Sequence, residues 1–198
     1  MDDETARESV LAAADALFYS RGIQSVGMDE VRTAAGISLK RMYSLFPSKD
    51  AIIAEVMARR STTWNEGIAA ATTDVTEPRA KLLAIYDFLA GWFDEDNFRG
   101  CGFINAFGEL GAGSPAVAAA ARDQKDAFQR YVASLVREAG APDHLAPQLA
   151  ILAEGAQTTA AISGTSDAAR HAKAAAITLI DAAPVSYTHL TLPTILLV

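Results

Sequence analysis

An all-α fold, with a small helix-turn-helix unit followed by a larger helical bundle and about nine helices in all, is what this 198-residue sequence predicts. Three observations carry that expectation. Apolar residues recur at helical spacing along most of the chain, and alanine is abundant while β-branched runs are scarce. Residues 36 to 50, GISLKRMYSLFPSKD, place a glycine turn, a serine cap, a short basic and aromatic helix, a proline stop and a second serine cap in succession. The length suits one helical domain or a small domain joined to a larger one, and either can bury a sizeable core.

The first helix is expected from about Thr5 to Arg21, with Val10, Ala13, Ala14, Leu17 and Phe18 on one stripe and Gly22 as its stop. Met28 to Ala35 reads as a second, short helix with Met28 and Val31 turned inward. Gly36 ends it where positive φ is needed, and Ser38 caps a third helix that Pro47 limits to about two turns. A helix that short is not stable alone, so its neighbours must hold it. Ser48 caps the fourth, whose apolar face is Ile52, Ile53, Val56 and Met57 and which reaches about Ala71. Two short helices about a glycine turn, braced by longer ones, make a helix-turn-helix.

Thr72 to Pro78 reads as a loop before the second bundle. The fifth helix begins near Pro78 and carries Leu82, Leu83, Ile85, Tyr86, Leu89, Trp92 and Phe93, a face wide enough to meet several partners. Residues 94 to 115 are glycine-interrupted, and a short sixth helix is expected near Gly102 to Leu110. Pro115 starts the seventh, with Val117, Ala121, Gln124, Phe128, Tyr131 and Leu135 inward. The eighth and ninth run from about His144 to Ser163 and from Asp167 to Ala183. Their Ala, Gly, Ser and Thr faces permit close helix approach, which serves equally a homodimer interface through helices 8 and 9 or packing within the chain. The domains divide at 1–48 and 49–183, with helix 4, about 49–71, connecting them. Residues 184–198 change composition abruptly to an uncharged, β-prone tail, too short to cross a bilayer as a helix, and are expected to be non-native.

The net charge of −7 argues against a nucleic-acid partner until its distribution is considered. Between Val31 and Lys49 stand Arg32, Lys40, Arg41 and Lys49 without one Asp or Glu. Four cations alone are as readily a solvated helix face; the helix-turn-helix spacing is what favours DNA. The single cysteine, Cys101, excludes an internal disulfide and suggests a reducing compartment, the cytoplasm, and the N-terminus lacks the pattern of a secretory signal. Cys101 is either a buried, inert thiol or, with Arg99 near it, a reactive one.

These residues resemble the TetR-like transcriptional regulators of bacteria over about 50 positions. The likeness rests on Gly22 closing the first helix, on Val31 to Gly36, and on Ser38, Tyr43, Phe46, Ser48, Lys49 and Asp50. It implies an all-α homodimer that binds a double-stranded DNA operator and is released by a small-molecule effector in a variable C-terminal domain. Carried over, Tyr43 and Lys49 contact phosphates, while Lys40, Arg41 and Ser38 face the major groove. Gly27, Met28 and Ser44 complete the contact set, and Phe46 is a core wedge. The chemistry agrees, since Arg and Lys donate to guanine O6 and N7 and Tyr bonds phosphate. Two departures stand out: Lys40 and Arg41 occupy positions where many members have Gly-Thr, and Gly27 replaces the usual Ser or Thr cap of the second helix.

The second half names no ligand. Tyr86, Trp92, Phe103, Phe107 and Phe128 are the candidates to line an apolar effector pocket, with core packing the alternative for each. Asn105, Glu109, Gln124, Gln157 and Thr158 are candidate polar handles. No catalytic constellation is visible. His144, His171 and His189 are scattered, no second cysteine completes a metal set, and no nucleophile elbow or strand-borne glycine loop occurs. The expectation is a regulator, not an enzyme, without metal or cofactor. A protein-controlled or architectural DNA binder is the rival, and an aromatic-lined void is what separates the two.

Overall fold

The computed structural model describes residues 2–183, and among them the chain forms nine helices and no strand. In order they are α1 (Asp3–Arg21), α2 (Met28–Ala35), α3 (Leu39–Leu45), α4 (Lys49–Thr73), α5 (Pro78–Phe93), α6 (Gly102–Leu110), α7 (Pro115–Glu138), α8 (Leu145–Ser163) and α9 (Asp167–Ala182). The apolar tail of 184–198 lies outside the described residues. None of the described helices is long and apolar enough to cross a membrane.

Capping chemistry accounts for most ends. α1 starts before the expected Thr5 because the Asp2 carboxylate accepts the Thr5 N–H at 2.8 Å, which also holds the Asp2 carboxyl below its ordinary range. α4 runs two residues past Ala71, with the Thr72 hydroxyl meeting the Tyr131 hydroxyl at 2.6 Å. The Glu77 side chain accepts the N–H groups of Arg79 and Ala80, so α5 starts on Pro78 with its first turn satisfied.

Two apolar cores form. The first gathers Val10, Ala14 and Phe18 of α1, Val31, Met42 and Phe46 of the short helices, and Ile52, Ile53, Val56 and Met57 of α4. It also draws in Cys101, Phe103 and Ala106 of the α6 segment and Val117 and Ala121 of α7, so the N-terminal helices pack directly on the second half. The second core lies among α5, α7, α8 and α9. Tyr86 and Leu89 are all but inaccessible there, and the Tyr86 hydroxyl donates to the Leu149 carbonyl at 2.9 Å. Burial pushes that phenol's pKa well up.

The small-residue faces of α8 and α9 meet each other within the chain: Ala150, Ala153, Ala156 and Ala160 face a wall that includes Ala169, Ala172 and Ala176. That leaves a second α8 stripe outside. Pro147, Gln148, Ile151, Gly155, Thr158, Thr159 and Ile162 are exposed, with no charge among them.

Candidate nucleic-acid interface

α3 is held rigidly enough to present one face. Gly36 adopts φ 68°, and the Ile37 N–H reaches back to the Arg32 carbonyl, closing α2 in the left-handed turn that favours glycine. The Ser38 hydroxyl accepts the Arg41 N–H at 3.2 Å and opens α3. Met42 and Phe46 are fully buried and anchor the inner side, so Phe46 is a core residue and makes no outward contact. At the far end Arg7 donates to the Leu45 carbonyl at 2.8 Å, lies 4.4 Å above the Phe46 ring and pairs with Glu55. A helix of seven residues is thereby fixed at both ends.

The opposite side carries Leu39, Lys40, Tyr43 and Ser44, all exposed, with Leu39 and Tyr43 retaining 43% and 48% of their surface. An exposed leucine and tyrosine beside a lysine make a face that offers ring, methyl and cation to a duplex groove. Lys40 makes no ion pair with any described residue. Arg41 is half-buried and its guanidinium meets Asp3 at 3.0 Å, tying α3 to the start of α1. The Ser44 hydroxyl donates to the Arg41 carbonyl at 2.7 Å. Lys49 donates to the Ile23 carbonyl at 2.5 Å and sits 5.7 Å from the Phe18 ring centroid, so its ammonium also braces the α1–α2 loop.

At the start of α2, Gly27 is exposed and its N–H donates to the Glu30 carboxylate at 2.9 Å. Glu30 also pairs with Arg21, and the two contacts lower its pKa, the Gly27 hydrogen bond more than Arg21. A carboxylate therefore occupies the helix N-terminus where a phosphate would approach. Met28 beside it is half-buried against the first core. Arg32, the remaining cation of the basic strip, is bound to Asp29 at 2.6 Å.

Several residues that link this unit to the second half carry no local sequence signal. The Tyr19 hydroxyl donates to the Gly100 carbonyl at 2.7 Å and accepts the Arg99 N–H at 2.9 Å. Arg60 of α4 pairs with Asp15 of α1 at 2.5 Å and stacks 4.0 Å over the Tyr19 ring. Burial raises the Tyr19 pKa despite the Arg99 hydrogen bond and the Arg60 charge. Glu109 accepts the Gln24 N–H at 2.8 Å, and its backbone carbonyl accepts from the Gln24 amide.

The candidate effector residues separate into two kinds. Tyr86 and Phe128 are core, Phe128 edge-on to Trp64 at 5.8 Å. Trp92 and Phe103 line a cavity of about 180 Å³ with Asp15, Arg60, Trp64, Phe88 and Gln124. Phe103 and the exposed Phe107 border a separate groove of about 280 Å³ toward Lys125 and Glu154. Those two charges stand 3.8 Å apart, an ion pair too long for a hydrogen bond, and Lys125 donates instead to the buried Cys101 thiol at 3.4 Å. Of the polar handles, Asn105 donates to the Arg99 carbonyl and Gln157 to the Ala153 carbonyl, while the Gln157 Oε1 is buried without a hydrogen-bond partner. No cluster of His, Cys, Asp or Glu suited to a metal occurs among the described residues.

Comparison with known proteins agrees with this geometry. Residues 10–56 match the family model for bacterial regulatory proteins of the tetR family, and residues 78–176 match that of a tetracyclin repressor-like C-terminal domain. A putative tetR transcriptional regulator from Streptomyces avermitilis is 30% identical, with 90% of this chain and 97% of that one covered at a TM-score of 0.78. A TetR-family regulator from Streptomyces coelicolor reaches a TM-score of 0.84 over 90% and 95% of the two chains at 22% identity, a likeness of fold. Among curated proteins, an uncharacterized HTH-type regulator of Mycobacterium tuberculosis is 35% identical over 80 residues, 40% of each chain. The HTH-type transcriptional activator FasR of Mycolicibacterium smegmatis is 28% identical over 146 residues, 73% of this chain and 65% of that protein. The matches thus span two fifths to about two thirds of those curated relatives.

Proposed function

Because this chain belongs to the tetR family of bacterial regulatory proteins and is a DNA-binding transcriptional regulator, we propose that it is a cytoplasmic homodimeric repressor released from its operator by a small molecule. Residues 1–48 are the reading head and residues 49–183 the regulatory and dimerising half, with α4 continuous between them. The observation that carries the DNA-reading assignment is the outward face of α3, where Leu39, Lys40, Tyr43 and Ser44 stand exposed on a helix pinned from behind. Lys40 and Arg41 read base edges with Ser38, and Tyr43, Lys49 and Ser44 hold phosphates, while Gly27 and Met28 lie against the backbone at the edge of the contact. Dimerisation uses the uncharged outer stripe of α8 about a twofold axis, together with α9. That places two recognition helices on half-sites roughly one helical turn apart or more.

Small-molecule control is supported by the aromatic-lined cavity beside Trp64 and Trp92. A fully packed second half would have favoured control by a protein partner. The name of FasR, an activator, favours a second sign of control, in which the same operator contact recruits transcription. The test is a mobility-shift assay at low salt with duplexes selected from genomic fragments, run beside sedimentation of the protein. Specific retention by a dimer, lost in Ile151→Glu as the dimer splits, is expected. Retention by a monomer, or no retention of any duplex, overturns the reading, and a promoter reporter decides between repression and activation.

A further inference from the structure

The wall of the cavity between α1, α4, α5, α6 and α7 has a composition that selects its guest. Trp64 meets Phe88 and Trp92 edge-on, with centroids 5.6 and 5.4 Å apart and planes at 75° and 66°, which makes an angled aromatic corner. The two charges on the wall, Asp15 and Arg60, neutralise each other at 2.5 Å. No net charge is left to select an ion.

Gln124 is different. It is 4% exposed, projects from α7 into this wall, and its Oε1 is buried without a hydrogen-bond partner. A buried acceptor left unpaired is costly and calls for a donor. The other polar groups do not supply one: Thr63 is exposed at the rim, Arg60 is committed to Asp15 and Tyr19, and the Cys101 thiol is engaged by Lys125. A cavity of about 180 Å³ accommodates one substituted six-membered ring, since an apolar protein cavity of about 150 Å³ takes up benzene.

We propose that this cavity takes a small neutral phenol-type molecule, its ring packed into the corner of Trp64, Phe88 and Trp92 and its hydroxyl donating to Gln124. This deepens the effector reading above and rests on it. Asp15 belongs to α1, so the occupant abuts the Asp15–Arg60 pair through which α4 grips the reading head.

Both tryptophans of the chain, Trp64 and Trp92, stand on this wall, so tryptophan emission reports on the cavity without a label. The probes are p-cresol and toluene, which share ring and methyl group and differ by the hydroxyl. The whole protein is expected to show a saturable emission change with p-cresol at a Kd about tenfold or more below that of toluene, with calorimetry as the check. Gln124→Leu is expected to abolish the preference while keeping toluene binding, and Gln124→Met serves as a second variant should the first not fold. Equal affinity for the two probes in the parent, no saturable p-cresol binding, or a preference that survives in the variants overturns the proposal. Operator retention is measured with the same probes. Selective p-cresol binding that leaves DNA retention unchanged would sustain the ligand assignment and defeat small-molecule control, so the two readings fail separately.

Discussion

Removing a single oxygen from α1 tests how the two halves are joined. In Tyr19→Phe the ring stays, and with it the Arg60 guanidinium stacked at 4.0 Å, but the hydroxyl that bridges the Gly100 carbonyl and the Arg99 N–H is gone. Gly100 is buried, so its carbonyl loses its partner with little access to water, while Arg99 is exposed and its N–H is partly rehydrated. One group stranded and one rehydrated gives a loss of about 2 kcal/mol, within the range of about 1–3 expected for a stranded buried acceptor. For a chain of this size each kcal/mol shifts Tm by about 2–4 °C, so Tm falls by about 4–8 °C. Thermal unfolding followed by circular dichroism reads this directly. DNA affinity in the absence of effector should change little, because Tyr19 lies far along α1 from the α3 face. A fall in Tm below about 1 °C would refute the reasoning, since the bridge would then contribute nothing.

Lys49→Met should reduce the salt dependence of DNA binding by about one unit of slope, measured by anisotropy across a KCl series, whereas Lys40→Ala should chiefly relax base preference. Only Lys49→Met should also lower Tm, because its ammonium holds the Ile23 carbonyl at 2.5 Å. Asp3→Asn removes a negative charge and loosens one tie on Arg41, so binding should tighten by about two- to fivefold at low salt in the same assay. The Glu30 pKa is lowered in the folded chain, so its contribution is fully present above its ordinary value of 4.5 and is lost as pH falls through the depressed folded value. Denaturant titrations should therefore show Glu30→Gln less stable than the parent at pH 7, with the gap closing at acid pH.

The helices were legible because their ends are chemical. Gly36, Ser38, Ser48, Pro78 and Pro115 each mark a terminus by what their backbone or side chain can do, and the structure ends or starts a helix at each. Asp2 was missed because an acid near a chain start gives no apolar period to precede. Of the candidate site, the exposed side of α3 follows from Met42 and Phe46 taking the inner side. What holds that helix in place does not follow from any spacing: Arg7 reaches Leu45 across 38 residues and Tyr19 reaches Gly100 across 81. The aromatics show the same limit. Trp92 of α5 and Phe128 of α7 each stand on an apolar helical stripe in the sequence, yet one borders the cavity and the other is core, because the placing of α7 beside the α4–α5 crossing decides which ring meets space. That crossing is close at Gly67, where a Cβ would stand 2.8 Å from the Phe88 ring.

The central claim, that the outer face of α3 reads DNA sequence, is tested most directly by selecting bound duplexes from a random pool with the parent and with a Lys40→Ala, Arg41→Ala double variant. The parent is expected to enrich one two-fold symmetric sequence, and the double variant to enrich a shorter or relaxed version of it at lower affinity. Enrichment of the same sequence to the same degree by both proteins, or of none by the parent, would contradict the account.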